Sequence, residues 1–362
     1  MHTYYKYINR RNDETWLGIY RPNGVWAETE PEYGFSFAVD QLLYNALVEV
    51  LEDTGCARVY ASTEFGYSQF LIACAPENAE YCYTQMQRIL TGDLPEETDP
   101  VWMPSYRNVP NSLQQRYDGV RYPGSRLAHP VSRRGQCSFS REQLLRWHEA
   151  HGRHDGFLLC VTGAEPPCRL ETANPWVPFS SPSLTAAPCT PARHIPGTRA
   201  DVVVSLPLPH ADDGHLTAMA LCQLLRPRLA WETRAKSGIF GDVQVSPYAL
   251  PELRVHSIYP KVKAEQAAKT VRDTLEQLAQ ILSPELALEV QGQLLKEYRE
   301  IAQSPRHWNT LAGRCLMTGR LDDPDMLIDP AWVANHITAE KLTHLINQLL
   351  DTPMQIFATA VR

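Results

Sequence analysis

The chain has 362 residues, of which 44% are apolar and 21% charged, and its formal net charge is −7. This composition is typical of a globular protein, and the length suits two domains of about 150–180 residues each. Acidic and basic residues are interspersed, so there is no basic face of the kind that nucleic-acid-binding proteins carry. No apolar run approaches the roughly 20 residues that span a bilayer, so no membrane segment is predicted.

The cysteine pattern and the N-terminal residues indicate the cellular compartment of the protein. Nine cysteines are scattered without a Cys-x-x-Cys pair, and nine is an odd number. This pattern favours free thiols in a reducing compartment over a disulfide framework. The stretch from Met1 to Arg11 lacks the apolar core of a signal peptide. Together these features predict a cytoplasmic protein.

The first half alternates between strand and helix patterns. They predict strands at 15–20 and 24–27, a helix from about 35 to 53, a strand pair at 57–62 and 68–74, and a helix from 79 to about 90. Residues 91–137 are rich in Pro, Gly, Arg and Tyr without periodicity, which indicates irregular structure. A helix with Ser140 as its cap and a buried strand at 156–163 complete this half.

The second half restates the first after a proline-rich stretch. Six prolines between Pro166 and Pro188 indicate a linker. Beyond it the patterns predict a strand at 200–206, a helix at 215–229, strands near 238–245 and 252–259, and helices at 263–282, 284–303 and 338–350. Because strand, helix, strand pair and helix occur twice, we expect two similar domains, 1–165 and 200–362, joined by the linker 166–199.

The helix near the start of the chain contains the stretch Gly34-Phe-Ser-Phe-Ala-Val-Asp-Gln-Leu-Leu-Tyr44. Its spacing matches the inverted zinc-peptidase motif His-x-x-Glu-His, but Phe37, Asp40 and Gln41 replace the first histidine, the glutamate and the second histidine. Phe37 has no donor atom, and the neutral amide of Gln41 is a poor substitute for imidazole. The pattern therefore predicts a helix that has lost its metal chemistry.

The order of elements and three stretches resemble the pitrilysin, insulinase and mitochondrial-processing-peptidase family of zinc peptidases. The stretches are 34–44, the helix, turn and strand at 144–163, and Glu-Thr-Arg-Ala-Lys-Ser-Gly-Ile-Phe at 232–240, which looks like the family's Arg-Glu-x-x-Gly-hydrophobic signature. The resemblance implies an α+β fold of two similar domains, each a mixed β-sheet with helices mainly on one face, forming a half shell. In the family, two such halves enclose a peptide.

The third zinc ligand of that family is a glutamate roughly 70–80 residues beyond the helix motif. Here no glutamate occurs between Glu97 and Glu142, and the nearest candidates are Gln114, Gln115 and Asp118. All three ligand positions therefore depart from the family pattern, and we expect no bound zinc. Without a metal to activate water, Asp40 alone has little to do as a base.

The second domain carries the substrate-binding candidates that the resemblance implies. Active family assemblies hold the peptide with an arginine and a tyrosine. Arg234 matches the arginine, while the tyrosine position falls at Gly241, next to Phe240. Arg234, Lys236 and Phe240 are therefore the predicted peptide contacts. The alternative is that Arg234 is a solvated or structural arginine at a helix end.

Two histidine-rich stretches also invite a metal interpretation. The first contains His148, Glu149, His151, His154 and Asp155, and it misses the spacing His-Glu-x-x-His by one residue. Its alternative is a set of solvated residues before a surface turn. The second runs from His210 to His215, where Asp212 or Asp213 capping a helix is the simpler interpretation.

The resemblance, together with the lost zinc ligands, implies a non-catalytic subunit of a heterodimeric zinc peptidase. It would close the chamber and help to bind a small peptide or the leader peptide of a modified natural product, while a catalytic partner subunit of the same family carries the zinc. Two alternatives remain: a stand-alone peptide-binding or scaffold protein without a hydrolase partner, and an enzyme that uses the histidine cluster.

Overall fold

The computed structural model describes residues 3–8, 14–22, 24–29, 32–64, 66–92, 94, 113–123, 125, 139–152, 156–172, 187, 193–197, 202–208, 214–236, 241–245, 252–257 and 264–361. The chain divides into two compact units that are interleaved in sequence. The first unit comprises Met1–Pro110, His129–Pro182 and Arg299–Pro324, and the second comprises Asn111–Ala128, Ser183–Tyr298 and Asp325–Arg362. The predicted domains 1–165 and 200–362, in contrast, follow one another along the chain.

The described residues form helices and strands in an order that repeats. The first part of the chain contains β1 (Thr3–Tyr7), β2 (Thr15–Arg21), α1 (Phe35–Leu47), β3 (Ala57–Thr63), β4 (Ser68–Cys74), α2 (Ala79–Thr91), α3 (Leu113–Arg121), α4 (Arg141–Trp147) and β5 (Leu158–Gly163). The remainder contains β6 (Arg193–Gly197), β7 (Val202–Pro207), α5 (Gly214–Lys236), β8 (Gly241–Val245), β9 (Glu252–Ser257), α6 (Ala264–Ile281), α7 (Pro284–Ala302), α8 (Pro305–Met317), α9 (Pro330–His336), α10 (Ala339–Asp351) and β10 (Gln355–Val361).

The sheet of the first unit is five-stranded, with the order β1-β5-β2-β4-β3. β1 runs parallel to β5, and every other neighbouring pair is antiparallel. One face packs against α1, α2 and α4, because these helices present apolar stripes to alternate apolar residues of the strands. The resulting core includes Leu17, Ile19, Val39, Leu43, Leu47, Phe70, Ile72, Met86, Leu90, Leu144, Trp147 and Val161.

The other face of this sheet is covered by α8, which the chain reaches only after most of the second unit. Polar side chains anchor the helix. The hydroxyl of Tyr20 donates to the backbone oxygen of Asn309 (2.7 Å). The amide of Asn309 donates in turn to the carbonyls of Cys160 (2.9 Å) and Trp16 (3.2 Å). Buried hydrogen bonds of this kind hold α8 in one register on the sheet.

The sheet of the second unit repeats the arrangement of the first. Its order is β6-β10-β7-β9-β8, and β6 runs parallel to β10 while the other pairs are antiparallel. The helices α5, α6 and α10 pack on one another in this unit. The short helix α3 also belongs here, and the ring of Tyr117 meets Phe357 edge-on, with centroids 4.5 Å apart. The predicted α+β class with two mixed sheets is confirmed.

Most local predictions agree with the structure. Helix α1 and the antiparallel pair of β3 and β4 lie where predicted. Ser140 caps α4, since its hydroxyl accepts from the amide of Gln143 while the Gln143 side chain accepts from the amide of Ser140. This reciprocal pair is the capping box.

Several other predictions are wrong or incomplete. Residues 24–27 are not a strand, because Val25–Ala27 forms a single 3-10 turn. Helix α3 lies within the stretch predicted to be irregular, and β6 lies within the predicted linker. The elements β1, α8, α9 and β10 are absent from the sequence-based prediction. Among the described residues, no helix is both long enough and apolar enough to cross a bilayer.

Candidate functional site

The start of α1 is fixed by a buried carboxylate from outside the helix. Gly34 precedes the helix in the left-handed region, with φ of 104°. The carboxylate of Glu28 accepts hydrogen bonds from the backbone amides of Gly34 and Ser36, each at 2.9 Å, and from the hydroxyl of Ser36. The first amides of a helix lack partners within it, and their partial positive charge favours an anion. Glu28 therefore occupies the end of α1 that carries the altered motif.

Two of the altered motif positions carry side chains that are unsuited to zinc coordination. Phe37 is half-buried on α1 and carries only carbon in its side chain. The amide of Gln41 donates to the side-chain oxygen of Asn45, one turn further along the helix, at 2.9 Å. Side chains four residues apart lie on the same helix face, so this bond stays local to the helix surface. The helix face that would hold two imidazoles thus holds a phenyl ring and an amide.

Asp40, at the position of the motif's glutamate, is tied into the interior. Its carboxylate accepts from the hydroxyls of Thr63 (2.7 Å) and Ser68 (2.5 Å), and the residue is only 4% exposed. Burial raises the pKa of Asp40 from 3.8 to about 6, while the buried guanidinium of Arg21 and the two hydroxyls act in the opposite direction. The side chain connects α1 to the hairpin of β3 and β4. Its role in this arrangement is structural.

The candidates for the third zinc ligand belong to the second unit. Asp118 is buried on α3, which belongs to the second unit, whereas Phe37 and Gln41 belong to the first. The side chains of Gln114 and Gln115 lie outside the described residues. Across the part of the chain that the structure describes, no three His, Cys, Asp or Glu side chains are grouped so that they could hold a metal ion.

The histidine cluster after α4 is partly buried rather than solvated. His148 is 1% exposed, and its Nε2 lies 3.1 Å from the carbonyl oxygen of Gly92, at the end of α2. The ring of His151 lies against Trp147, with ring centroids 5.2 Å apart. Glu149 is exposed, and His154 and Asp155 lie outside the described residues. His148 therefore joins α2 to α4, which is a structural contact.

The predicted peptide contacts in the second unit fall at the end of a helix. Helix α5 extends to Lys236, so Arg234 and Lys236 lie in its last turn, beyond the predicted end near residue 229. Their side chains, Phe240, and the stretch from His210 to Asp213 lie outside the described residues. Their roles in peptide binding stay predictions.

The residues that surround the altered motif carry no clear signal in the amino-acid sequence. Glu28 lies six residues before Gly34 in an irregular stretch, and no local pattern connects it to α1. Thr63 and Ser68 lie at facing ends of β3 and β4, where short polar side chains are a weak signal. Only the pairing of the two strands brings both hydroxyls to Asp40.

The fold is shared with solved peptidase structures. No protein-family model matches the chain, and neither does any curated protein sequence. A crystal structure of an M16 peptidase inactive domain from Pseudomonas fluorescens matches with a TM-score of 0.74 and 13% identity, covering 99% of this chain and 95% of the other. A protease from Helicobacter pylori matches with a TM-score of 0.71 and 12% identity, covering 98% and 95%.

Larger proteases contain the same fold in about half of their length. The periplasmic protease PqqL from Escherichia coli matches with a TM-score of 0.68 and 12% identity, covering 99% of this chain but 46% of PqqL. The ferredoxin protease FusC, solved as a point mutant in complex with Arabidopsis ferredoxin, matches with a TM-score of 0.67 and 13% identity, covering 97% and 43%. At these identities the likeness shows the fold, which is that of M16 peptidase domains and agrees with the resemblance seen in the sequence.

Proposed function

We propose that this chain, which has the M16 peptidase fold, is a non-catalytic subunit of a heterodimeric zinc peptidase. The observation that carries the proposal is the state of α1: a fold built around a zinc helix retains the helix but has Phe37 and Gln41 at its histidine positions. The likeness to a solved M16 inactive domain supports it. The catalytic partner of the same family would hold the zinc, and this chain would help to bind the peptide.

The chemistry of the motif supports a non-catalytic role. Zinc peptidases need three protein ligands and a metal-bound water that is activated for attack. Phe37 contributes no donor atom, and Asp40 already accepts hydrogen bonds from Thr63 and Ser68. A base without a metal, held in the interior by two hydroxyls, has no water to activate. Hydrolysis is therefore assigned to the partner, and no cofactor to this chain.

An open strand edge beside α1 supports peptide binding. β3 forms one end of the first sheet, where its described neighbour is β4 on one side. Helix α1 packs against β3, and Thr63 at the strand end bonds to Asp40 of the helix. The amide of Val59 on β3 donates to the carboxylate of Glu52 (3.2 Å), and an extended peptide could add as a further strand along the rest of this edge. A peptide bound there would lie next to the altered motif.

The second unit carries separate candidates for peptide binding. Arg234 and Lys236 in the last turn of α5, with Phe240 beyond it, are proposed to hold the peptide through a carbonyl or carboxylate. A small peptide or leader peptide in the cytoplasm is the substrate class that we propose.

Co-expression tests the proposal. The chain is produced with each protein of the same organism that retains an intact His-x-x-Glu-His helix, and the products are examined by light scattering, zinc content and peptide cleavage. We expect a one-to-one complex with an interface of roughly 1,200–2,000 Å² or more, zinc on the partner, and faster cleavage by the complex than by either subunit. A chain that holds one tight zinc and cleaves peptides alone would contradict the proposal.

A stand-alone peptide-binding protein is the second candidate. One observation favours it: β3, α1 and the residues that link them all belong to the first unit, so the proposed binding edge needs no other subunit. A monomer that binds peptides with unchanged affinity in the presence of every candidate partner would identify this second function.

A further inference from the structure

Two arginines and two aromatic rings form a cluster on the first sheet, on the face opposite α1. The rings of Trp16 and Tyr60 stack, with centroids 5.7 Å apart and planes inclined by 18°. The guanidinium of Arg306 lies 4.1 Å from the ring centroid of Tyr60 and 5.8 Å from that of Trp16. The guanidinium of Arg58 lies 6.0 Å from the ring centroid of Trp16. We call these four residues the arginine–aromatic cluster.

Strand register explains why the rings meet across the sheet. Trp16 on β2 and Arg58 on β3 both pair with Ala73 on the strand between them. Because Ala73 has a small side chain, the Trp16 ring can lie over it and reach β3. Tyr60 follows Arg58 by two residues and so projects from the same face. Helix α8, which covers this face, adds Arg306 from its first turn.

The two arginines differ in whether a carboxylate neutralises their charge. Arg58 donates from Nη2 to both carboxylate oxygens of Glu14, each at 2.7 Å. Arg306 is exposed and makes no ion pair with any carboxylate among the described residues. A cation in the first turn of a helix opposes the helix dipole, so this charge does not stabilise α8. The cluster therefore carries one guanidinium without a described counter-charge, stacked at the edge strand of the sheet.

We propose that the arginine–aromatic cluster selects peptides that carry a carboxylate side chain and that lie extended along β3. This inference rests on the proposed function and names the chemical class of its peptide. A guanidinium that lies on an aromatic ring retains its N–H groups for in-plane hydrogen bonds and has lost much of its rotational freedom. A carboxylate can accept two such bonds in parallel, which an amide or an ammonium group cannot do. Arg306 supplies the recognition, and Tyr60 and Trp16 hold it in place.

Fluorescence anisotropy with the full chain tests the inference. Three fluorescein-labelled peptides share one alternating, strand-forming sequence and differ only in carrying glutamate, glutamine or lysine at three central positions. We expect the glutamate peptide to bind about five- to tenfold more tightly than the glutamine peptide, and the lysine peptide to bind most weakly. Raising the salt from about 50 mM to about 300 mM should reduce the preference, since exposed charges are screened.

Two variants test whether Arg306 is responsible for the preference for the glutamate peptide. Arg306→Gln should remove most of the difference between the glutamate and glutamine peptides, because it should weaken binding of the glutamate peptide far more than binding of the glutamine peptide. Arg314→Gln is the matched control, because it removes an exposed charge from the same helix and should leave the preference intact. Equal binding of the glutamate and glutamine peptides by the wild type, or a preference that survives Arg306→Gln, would overturn the inference and leave the proposed peptide-binding function standing. Binding of none of the peptides would overturn both.

Discussion

Gly313 lies directly against the ring of Tyr20: a Cβ atom at Gly313 would stand 2.0 Å from Cζ of that ring. Gly313 is on α8 and Tyr20 is on β2, and both are buried. Asn309, one turn earlier on α8, bonds to Tyr20 and to the carbonyls of the sheet. Helix α8 therefore approaches the first sheet more closely than any residue with a Cβ at position 313 would allow.

Gly313→Ala is expected to destabilise the protein. The added methyl group overlaps a buried aromatic ring that is already held by hydrogen bonds, and overpacking of this kind costs about 1–3 kcal/mol. Urea unfolding followed by circular dichroism measures the change. Gly292→Ala is the control, since a Cβ at this helical position of α7 meets no atom within 4 Å. That variant should gain about 0.5–1 kcal/mol from helix propensity. Equal stability of both variants would contradict the close approach of α8.

The carboxylate of Asp40 should make stability depend on pH. Burial raises its pKa from 3.8 in the unfolded chain to about 6 in the folded chain. Between these values the folded chain retains a proton that the unfolded chain has released. The free energy of unfolding therefore falls as pH rises from about 4 to about 6, by on the order of 2–3 kcal/mol, and this contribution is constant above that range.

Asp40→Asn removes this titration and isolates the contribution. Its urea midpoint between pH 4 and pH 7 should lack the part of the decline that Asp40 contributes in the wild type. Asp273→Asn provides a comparison, because Asp273 lies on the exposed face of α6 and pairs there with Lys269. That variant should retain the wild-type decline. Parallel pH profiles for the wild type and Asp40→Asn would show that the folded-state pKa of Asp40 is not raised.

Restoring both histidines should not restore a zinc peptidase. In the double variant Phe37→His and Gln41→His, two imidazoles stand on one face of α1, but no glutamate is available between Glu97 and Glu142 as a third ligand. Zinc peptidases hold the metal with three protein ligands. We expect weak zinc binding, lost on dialysis, and no peptide cleavage. One zinc per chain that survives dialysis and supports cleavage would show that another residue completes the site.

Arg234→Ala tests the contribution of the second unit to peptide binding. Loss of one charged hydrogen bond costs about 1.5–3 kcal/mol, so affinity or turnover in the reconstituted complex should fall by roughly ten- to a hundredfold with assembly unchanged. Arg228→Ala is a control on the same helix, because Nη1 of Arg228 donates to the carbonyl of Leu224 within α5. Unchanged kinetics for Arg234→Ala would assign that arginine a structural role.

Local sequence patterns were sufficient for the elements whose signals lie within about ten residues. The period of apolar residues predicted α1, and two strand-like stretches after Gly55 predicted β3 and β4. The helix cap at Ser140 was predicted from a serine before a helical stretch, and the structure shows it as part of a capping box. The loss of metal donors at Phe37 and Gln41 was likewise a matter of residue identity, because a phenyl ring cannot bind zinc in any fold.

The partners against which these elements pack could not be predicted from local patterns. Helix α8 follows a helix of the second unit in sequence but covers the sheet of the first, and its short turn after α7 gives no sign of that placement. Likewise, β10 enters the second sheet between β6 and β7. Apolar periodicity specifies that a face must be covered, yet it does not specify which segment covers it.

The altered motif was visible in the sequence, whereas its surroundings depend on the fold. Motif spacing was enough to place Asp40 at the position of a catalytic glutamate. Only in the folded chain is the carboxylate buried against Thr63 and Ser68, and only there does Arg306 lie over Tyr60, nearly 250 residues away in sequence. Side-chain identity sets which bonds a group can make, but burial and the choice of partner depend on strands and helices that meet only in the folded chain.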